Sequence, residues 1–572
     1  MKFDRETLIG IAICLVVLFG WEPFAKWMGW LPASPPAAVI QQPAAGTVPK
    51  GPETSSVSAP VPVPEPVPVV EIKSAPPLPP VTLANTDMEL TIEPLTGSLR
   101  AVELDRYLNA ARNANIVLDQ TYSGTGALSL SDLATPWVTT GITESRLEKE
   151  RYFLTREIRT SNGGKFRVSE SWQIEAAGYE TKYTFTILND SDRPVSFSRL
   201  VLNGGDLAPW AKVSGDKVRI PSFRMDFMTV NGKFVDIKEG KEDSDYFRNP
   251  PPLVTWAGIS NKYFSVLLTA AEPFTLYQKR QIHFAGKVRE ETMSVGAAFP
   301  AFLLNPGEKK SQEFRYYSGP KVIALLDSFD PSTARVMHLA WGPLDYLARL
   351  LLWILVKLQA VCGSYGISII ILTLLVRLLF YPVTAKANAS MKKMQAVGPK
   401  LKELRDKYKD NPQLLNTKTM ELYRAEGVNP FGGCLPILLQ IPVFFALYAT
   451  LDGAVELRQV PFLWAHDLAA ADTVARIPLF LFGWSLPINP LVIAMTVLMV
   501  IQQHMTPMSL DPIQKKMMTL MPVVMLVILY DLPSGLTLYW TVSNLFSIIQ
   551  LRLQQRNSQI VQGSAPVGKD AK

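Results

Sequence analysis

The sequence predicts an α-helical membrane bundle joined to a large all-β domain. Three observations carry that expectation. Long apolar runs crowd the region after residue 340, charge concentrates in 81–320 and 386–426, and 572 residues exceed what one hydrophobic core usually supports. The overall hydrophobic fraction of 48% is ordinary, so the distribution of apolar residues carries the signal rather than their amount. The net charge of +7 suits a membrane protein with basic cytoplasmic loops. No dense basic stripe appears outside one loop, which argues against direct nucleic-acid binding.

Residues 1–31 read as a signal-anchor span. Lys2 and Arg5 precede the apolar run Leu8–Trp21, and no small-x-small cleavage site follows, because the candidate near Ala33 and Ser34 runs into Pro35 and Pro36. The basic N-terminus is expected in the cytoplasm and the chain after it outside. Residues 32–80 are dense in Pro, Ala and Val, including Pro60-Val-Pro-Val-Pro-Glu-Pro-Val-Pro68. Such a segment builds neither helix nor sheet ladder and is expected to be an extended spacer.

Residues 81–325 change character and are expected to fold as a large β-sandwich outside the cytoplasm. Tyr179, Thr181, Tyr183, Phe185 and Ile187 alternate onto one face, and Asn162-Gly163-Gly164, Asn189-Asp190-Ser191 and Asn231-Gly232 punctuate the strands. The three cysteines, Cys14, Cys362 and Cys434, each lie in or beside an apolar run. They read as small buried apolar residues, and the β region has no disulfide framework or Cys-based metal site.

Residues 335–362 hold an amphipathic helix. Leu344, Leu347, Leu351, Ile354 and Leu358 share a stripe interrupted by Asp345, Arg349 and Lys357, a pattern that suits a helix in the membrane interface or, alternatively, a short span. Residues 363–556 form the membrane core, with spans near 367–383, 431–451, 487–505, 517–530 and 535–551. The fourth is short of the ~20 apolar residues of a full crossing. Asp531-Leu-Pro-Ser-Gly535 is a tight turn between the last two, and 557–572 is a short cytoplasmic tail.

The basic residues orient these spans. The loop after the first span carries Lys386, Lys392, Lys393, Lys400, Lys402, Arg405, Lys407, Lys409, Lys418 and Arg424, whereas 452–486 carries Arg458 and Arg476 alone. Both termini are therefore expected in the cytoplasm. The loop 384–427 reads as a helical hairpin, with Met391, Met394, Leu401, Leu404 and Tyr408 at helical spacing and Asp410-Asn-Pro412 as the break. Its methionine-rich face either binds varied apolar segments or packs on itself.

Arg377 interrupts the first of the five spans, between Val376 and Leu378, and an arginine in hydrocarbon costs at least ~2.5 kcal/mol. One reading is snorkelling toward the headgroups near Lys386. The other follows from the absence of Asp and Glu in all five spans, which leaves water, neutral acceptors or an anionic visitor. Thr373 lies one turn before it. Thr537, Trp540, Thr541, Asn544 and Ser547 share an arc of the last span, and Gln440 sits between Pro436 and Pro442, which free backbone carbonyls. These residues suggest a polar, partly hydrated groove; ordinary interhelical hydrogen bonding is the alternative for the last span.

Several of these segments together resemble the YidC/Oxa family of membrane-protein insertases, in the Gram-negative YidC arrangement. They are Ile367–Pro382, Asn429-Pro-Phe-Gly-Gly-Cys-Leu-Pro436 with Gln440 and Pro442, and Leu532-Pro-Ser-Gly-Leu-Thr-Leu-Tyr-Trp540 followed by Ser543-Asn544. The resemblance implies a periplasmic β-supersandwich, an interfacial helix and a five-helix insertase core in the bacterial inner membrane. It implies that Arg377 is the groove arginine, with Thr373 and Trp540 lining the groove. Implied partners are nascent membrane proteins, the Sec translocon (SecYEG, SecDF), ribosome nascent-chain complexes and the lipid bilayer, with no cofactor. Position 540 is often Tyr in the family, so the tryptophan here departs from it.

Two other classes fit the residues less well. A secondary transporter would also use an intramembrane charge, but neither inverted repeats nor broken helices at a midplane site are evident. An enzyme in the β domain would lack a paired-histidine site, because His283 is the one histidine in 81–320. The chain is therefore expected not to be an enzyme.

Overall fold

The computed structural model describes residues 74–121, 126–161, 163–207, 224–238, 251–285, 288–409, 411–427, 435–479, 484–505 and 512–563. The expected anchor, nearly all of the Pro-rich linker, most of the 429–436 motif and the end of the tail lie outside the described residues. The described chain divides into one unit up to Val336 and another from Met337 onward.

Among the described residues, the first unit has eighteen antiparallel strands. A four-stranded sheet runs in order β1 (Val81–Ala84), β2 (Met88–Glu93), β3 (Ser98–Leu108), β4 (Asn115–Asp119). The next strands are β5 (Ser129–Asp132), β6 (Trp137–Glu148), β7 (Arg151–Thr160), β8 (Lys165–Ile174) and β9 (Glu180–Leu188). There follow β10 (Val195–Phe197), β11 (Leu200–Asp206), β12 (Arg224–Thr229), β13 (Phe234–Lys238) and β14 (Leu253–Ser260). The last are β15 (Phe264–Ala285), β16 (Val288–Ala298), β17 (Phe302–Leu304) and β18 (Lys309–Pro320). Nine of these make one path, β13-β12-β14-β15-β18-β9-β8-β7-β6, with β11, β16 and β5 branching from it.

Side-chain alternation makes this sheet. In β9, Thr181, Tyr183, Phe185 and Ile187 are buried while Lys182 faces solvent; in β8, Phe166, Val168, Trp172 and Ile174 are buried on the same period of two. Gly163 and Gly232 turn the chain at φ +88 and +74, a region that costs glycine nothing. The four-stranded sheet lies over the large one. Tyr316 on β18 donates to Gln120 beside β4 at 3.0 Å, and the Gly178 N–H donates to Asp87 at 2.7 Å. A short helix, α1 (Ile323–Phe329), follows β18.

The two layers are pinned by a buried ion pair. Arg156 on β7 donates through Nε to Glu170 on β8 at 2.8 Å, with side-chain exposures of 2% and 0%. Tyr183 OH donates to the other carboxylate oxygen at 2.8 Å. The far side of the guanidinium reaches the β2–β3 turn of the four-stranded sheet: Nη1 meets Leu95 O at 3.4 Å and, on β6, Thr139 Oγ1 at 3.3 Å, and that hydroxyl donates to Leu95 O at 2.8 Å. Gly97, at φ +63, lies so close over the pair that a Cβ there would strike both partners.

The second unit is helical: α2 (Pro343–Cys362), α3 (Tyr365–Ala396), α4 (Gly398–Lys407), α5 (Pro412–Ala425), α6 (Leu435–Gly453), α7 (Pro490–Met505), α8 (Pro512–Leu529) and α9 (Ser534–Gly563). Helices thus occupy each of the five segments read as spans. Among the described residues, however, α3 is the one helix both long and apolar enough to cross a membrane by that measure.

Three features differ from the sequence reading. Residues 384–396 do not begin a hairpin but extend α3 through Pro382. The break comes at Val397, where Pro399 has no N–H for the Gln395 carbonyl. The stripe that α2 buries is Leu344, Ala348, Leu351, Leu352 and Leu355, turned toward α3 and α6 and leaving Trp353 and Val361 exposed. The 452–486 segment is not a plain loop: it holds a 3-10 turn, Val455–Leu457, and two strands, β19 (Ala475–Leu479) and β20 (Trp484–Ile488).

That 3-10 turn buries Val455 and Leu457 and draws Glu456 in between them. Its Oε2 has no hydrogen-bond partner among the described residues, and burial pushes the carboxyl up to about 7 from an ordinary 4.5. The folded state therefore keeps a proton that the unfolded chain loses. The stability tied to Glu456 is complete below pH 4.5 and drains away as pH rises through about 7. Glu456→Gln is expected to flatten this slope, raising stability at about pH 8 by ~2–3 kcal/mol and leaving it unchanged at about pH 4. Urea unfolding of the detergent-solubilised protein at the two pH values checks this; parallel curves for parent and variant would contradict it.

Candidate functional site around Arg377

Arg377 stands twelve residues into α3, ~18 Å from the helix start. Its Nε donates to Ser543 Oγ on α9 at 2.7 Å, and its Nη2 donates to the same oxygen. A guanidinium has five donors. Two reach Ser543, so three have no protein acceptor among the described residues. No ion pair to Arg377 occurs among them either. One turn before Ser543, Tyr539 accepts from Gln440 Nε2 on α6. The Tyr539–Ser543 face of α9 thus gathers one polar side chain from α3 and one from α6.

The other residues expected at the groove divide. Thr373 is buried and donates back to Ile369 O at 2.6 Å, within its own helix. Thr537 does likewise to Ser534 O at 3.1 Å. Thr541 donates to Thr537 O in its own helix at 2.7 Å and lies 3.3 Å from Leu491 O on α7, and Asn544 donates to Met495 O on α7 at 3.4 Å. Ser547 closes on Ser543 O at 3.0 Å. Trp540 joins an apolar cluster with Val492, Met495 and Leu529, its ring 5.0 Å from that of Phe444 and edge-on to it. The polar arc read along α9 is therefore mostly its seam with α7, and Arg377 meets the neighbouring face.

Sequence reasoning missed Ser543 and Tyr539 as partners. Their i, i+4 spacing puts them on one face, which is the signal that was there to find. Around the arginine the surface is apolar and open: Leu378 and Leu379 on α3 are 69% and 70% exposed, and Ile441 and Phe445 on α6 are exposed as well. In the 398–425 segment, α4 and α5 lie against each other. Leu401 is buried, and Met391 and Met394, which belong to α3, are half-buried.

A cationic side chain short of acceptors among apolar helices, in a chain that also carries a large β domain, is the pattern of an integral membrane protein. Comparisons with known proteins specify it. Residues 357–560 match the model of the 60Kd inner membrane protein family, and residues 80–354 match that of the YidC periplasmic domain. The membrane protein insertase YidC of Geobacter metallireducens is 32% identical over 96% of this chain and 97% of its own. That of Methylobacillus flagellatus is 30% identical over 96% of each. A crystal structure titled as an active YidC insertase covers 85% of this chain and 95% of its own at 18% identity and a TM-score of 0.35, and adds nothing to the sequence match. The chain belongs to the YidC family of inner-membrane protein insertases.

Proposed function

We propose that this protein inserts polypeptide segments into the inner membrane and helps them fold there, alone or beside the Sec translocon. The observation that carries the proposal is Arg377, whose sole protein partner among the described residues is the Ser543 hydroxyl. Three unused donors in a low-dielectric setting favour an acceptor-rich visitor, and a carboxylate on a short polar tail is the strongest available. The groove assigned here is the face of Arg377, Ser543, Tyr539 and Gln440, with Thr373 behind it, kept hydrated from the cytoplasmic side. A tail held there is attracted transiently, because one hydroxyl cannot replace a full counter-charge. The apolar helix that follows it leaves along Leu378, Leu379, Ile441 and Phe445 into lipid, where burial makes the step favourable.

In this reading both termini are cytoplasmic, the β domain is periplasmic, and Met391 and Met394 receive the nascent chain, while Leu401 holds the α4–α5 hairpin together. The short span near 517–530, in α8, thins the bilayer locally and lowers the barrier. Photocrosslinking during translation tests the groove. A photoreactive residue at Leu378 is expected to label a membrane-protein nascent chain, and one at Asn544, turned to α7, is expected not to. Equal labelling from both positions, or none from Leu378, would remove the support for this groove.

A further inference from the structure

β19 and β20 pair with each other and with no other strand among the described residues. A lone two-stranded hairpin is marginal in water. This one nevertheless leaves Val474, Ile477 and Leu486 at 48%, 48% and 40% exposed. Its sequence, Ala-Arg-Ile-Pro-Leu and Trp-Ser-Leu-Pro-Ile, carries one charge, Arg476.

The base of the hairpin is fixed to the helix ends. Asp472, buried, accepts from the Leu491 N–H of α7 at 2.6 Å and from Trp464 Nε1 at 2.9 Å. Thr473 donates to Asn489 at 2.7 Å, Asn489 donates to Tyr530 O at 2.6 Å, and Tyr530 OH donates to Pro487 O. The hairpin therefore begins where α7 begins. Read as a span, α7 starts at the bilayer boundary, so the base of the hairpin lies at that level and not far out in water.

Two further details fit that boundary. Pro478 and Pro487 cannot donate to the ladder, so they occupy outward positions and each strand has one fewer N–H to strand in an apolar medium. The remaining edge groups still need water or headgroups, which excludes the hydrocarbon centre. Trp464, half-exposed with its N–H satisfied, has the amphipathic placement of an interfacial tryptophan.

We infer that the β19–β20 hairpin is a membrane-interface anchor, seated in the headgroup–acyl boundary at the end of the bundle where α7 and α9 begin. Its occupant is the lipid bilayer itself, continuous with the lipid-facing sides of the helices. The inference rests on reading α7 as a span, so the experiment reports on both. Full-length protein with Cys14, Cys362 and Cys434 replaced by serine carries a single environment-sensitive fluorophore on Ile477→Cys, Leu486→Cys, Val497→Cys on α7, or Asp192→Cys in the β unit. Each is reconstituted in phosphatidylcholine–phosphatidylglycerol vesicles. Quenching is measured by iodide on both sides of the membrane and by lipid carrying a nitroxide near its headgroup.

The fluorophores at 477 and 486 are expected to be quenched by iodide about threefold less than that at 192, and to be quenched by the nitroxide lipid. Iodide quenching at 477 and 486 equal to that at 192, with 497 still protected, would overturn the anchor alone. Protection of 477 and 486 from both quenchers would also overturn it, in favour of a protein partner. Iodide access at 497 would overturn the span and the anchor together.

Discussion

Arg377→Ala is expected to reduce insertion of substrates with acidic translocated tails by at least about tenfold, the scale of one or two charge-assisted hydrogen bonds. Arg377→Lys should retain most activity, because a point charge still attracts a carboxylate. Ser543→Ala provides the internal comparison. It removes the one protein acceptor that Arg377 has among the described residues, yet leaves the charge in place. If Arg377 acts on the substrate, this variant inserts at near-parental rates or faster, since the guanidinium is freed. If Arg377 acts by tying α3 to α9, Ser543→Ala and Arg377→Ala fail alike. Reconstituted proteoliposomes, with protease protection of the translocated tail as the readout, distinguish the cases. Undiminished insertion by Arg377→Ala across several substrates would end the charge model.

The second large effect belongs to the β unit. Glu170→Ala is expected to destabilise it by about 3–5 kcal/mol, because the Arg156 charge stays buried without its counter-charge. Tyr183 loses its acceptor in the same step. Arg156→Ala should cost a comparable amount, and it also releases Leu95 in the β2–β3 turn of the overlying sheet and Thr139 on β6. The double replacement Arg156→Met with Glu170→Leu is expected to recover most of the loss, as desolvated pairs often exchange for apolar packing without penalty. Urea midpoints followed by the far-ultraviolet signal of the sheet measure this. A double variant no more stable than either single would show that the pair is worth more than the volume it fills.

What could be read from the sequence follows from the range of the forces involved. The alternation of β9 was legible because a strand covered on one side repeats every two residues, whatever lies elsewhere. The Arg156–Glu170 pair was not, because both partners look like surface charges until β7 and β8 are laid side by side under Gly97. Arg377 was legible because a charge in an apolar run is conspicuous and five acid-free segments left it no ion-pair partner. Its partner Ser543 was not, since one serine on an apolar helix resembles any other until the rotation of α9 is known. That rotation also decided the fate of Thr541 and Asn544, which a helical wheel placed near the arginine and packing turned to α7. The hairpin of β19 and β20 was hidden by Pro478 and Pro487, which speak against strands except at an unshared edge.

The unbroken run of α3 has a mechanical consequence. At 32 residues it is a rod of ~48 Å, with Arg377 a little over a third of the way along. Its N-terminal end is seated, because Gly366 lies against the Phe462 ring where no side chain would fit. Its other end passes with a single break at Val397 into α4. A rod held at one end behaves as a lever. A tilt of about 10° about that seat carries Arg377 sideways by ~3 Å and the far end by ~8 Å. A load borne on the far arm is thereby geared down to a displacement of one hydrogen-bond length at the arginine, enough to part it from Ser543.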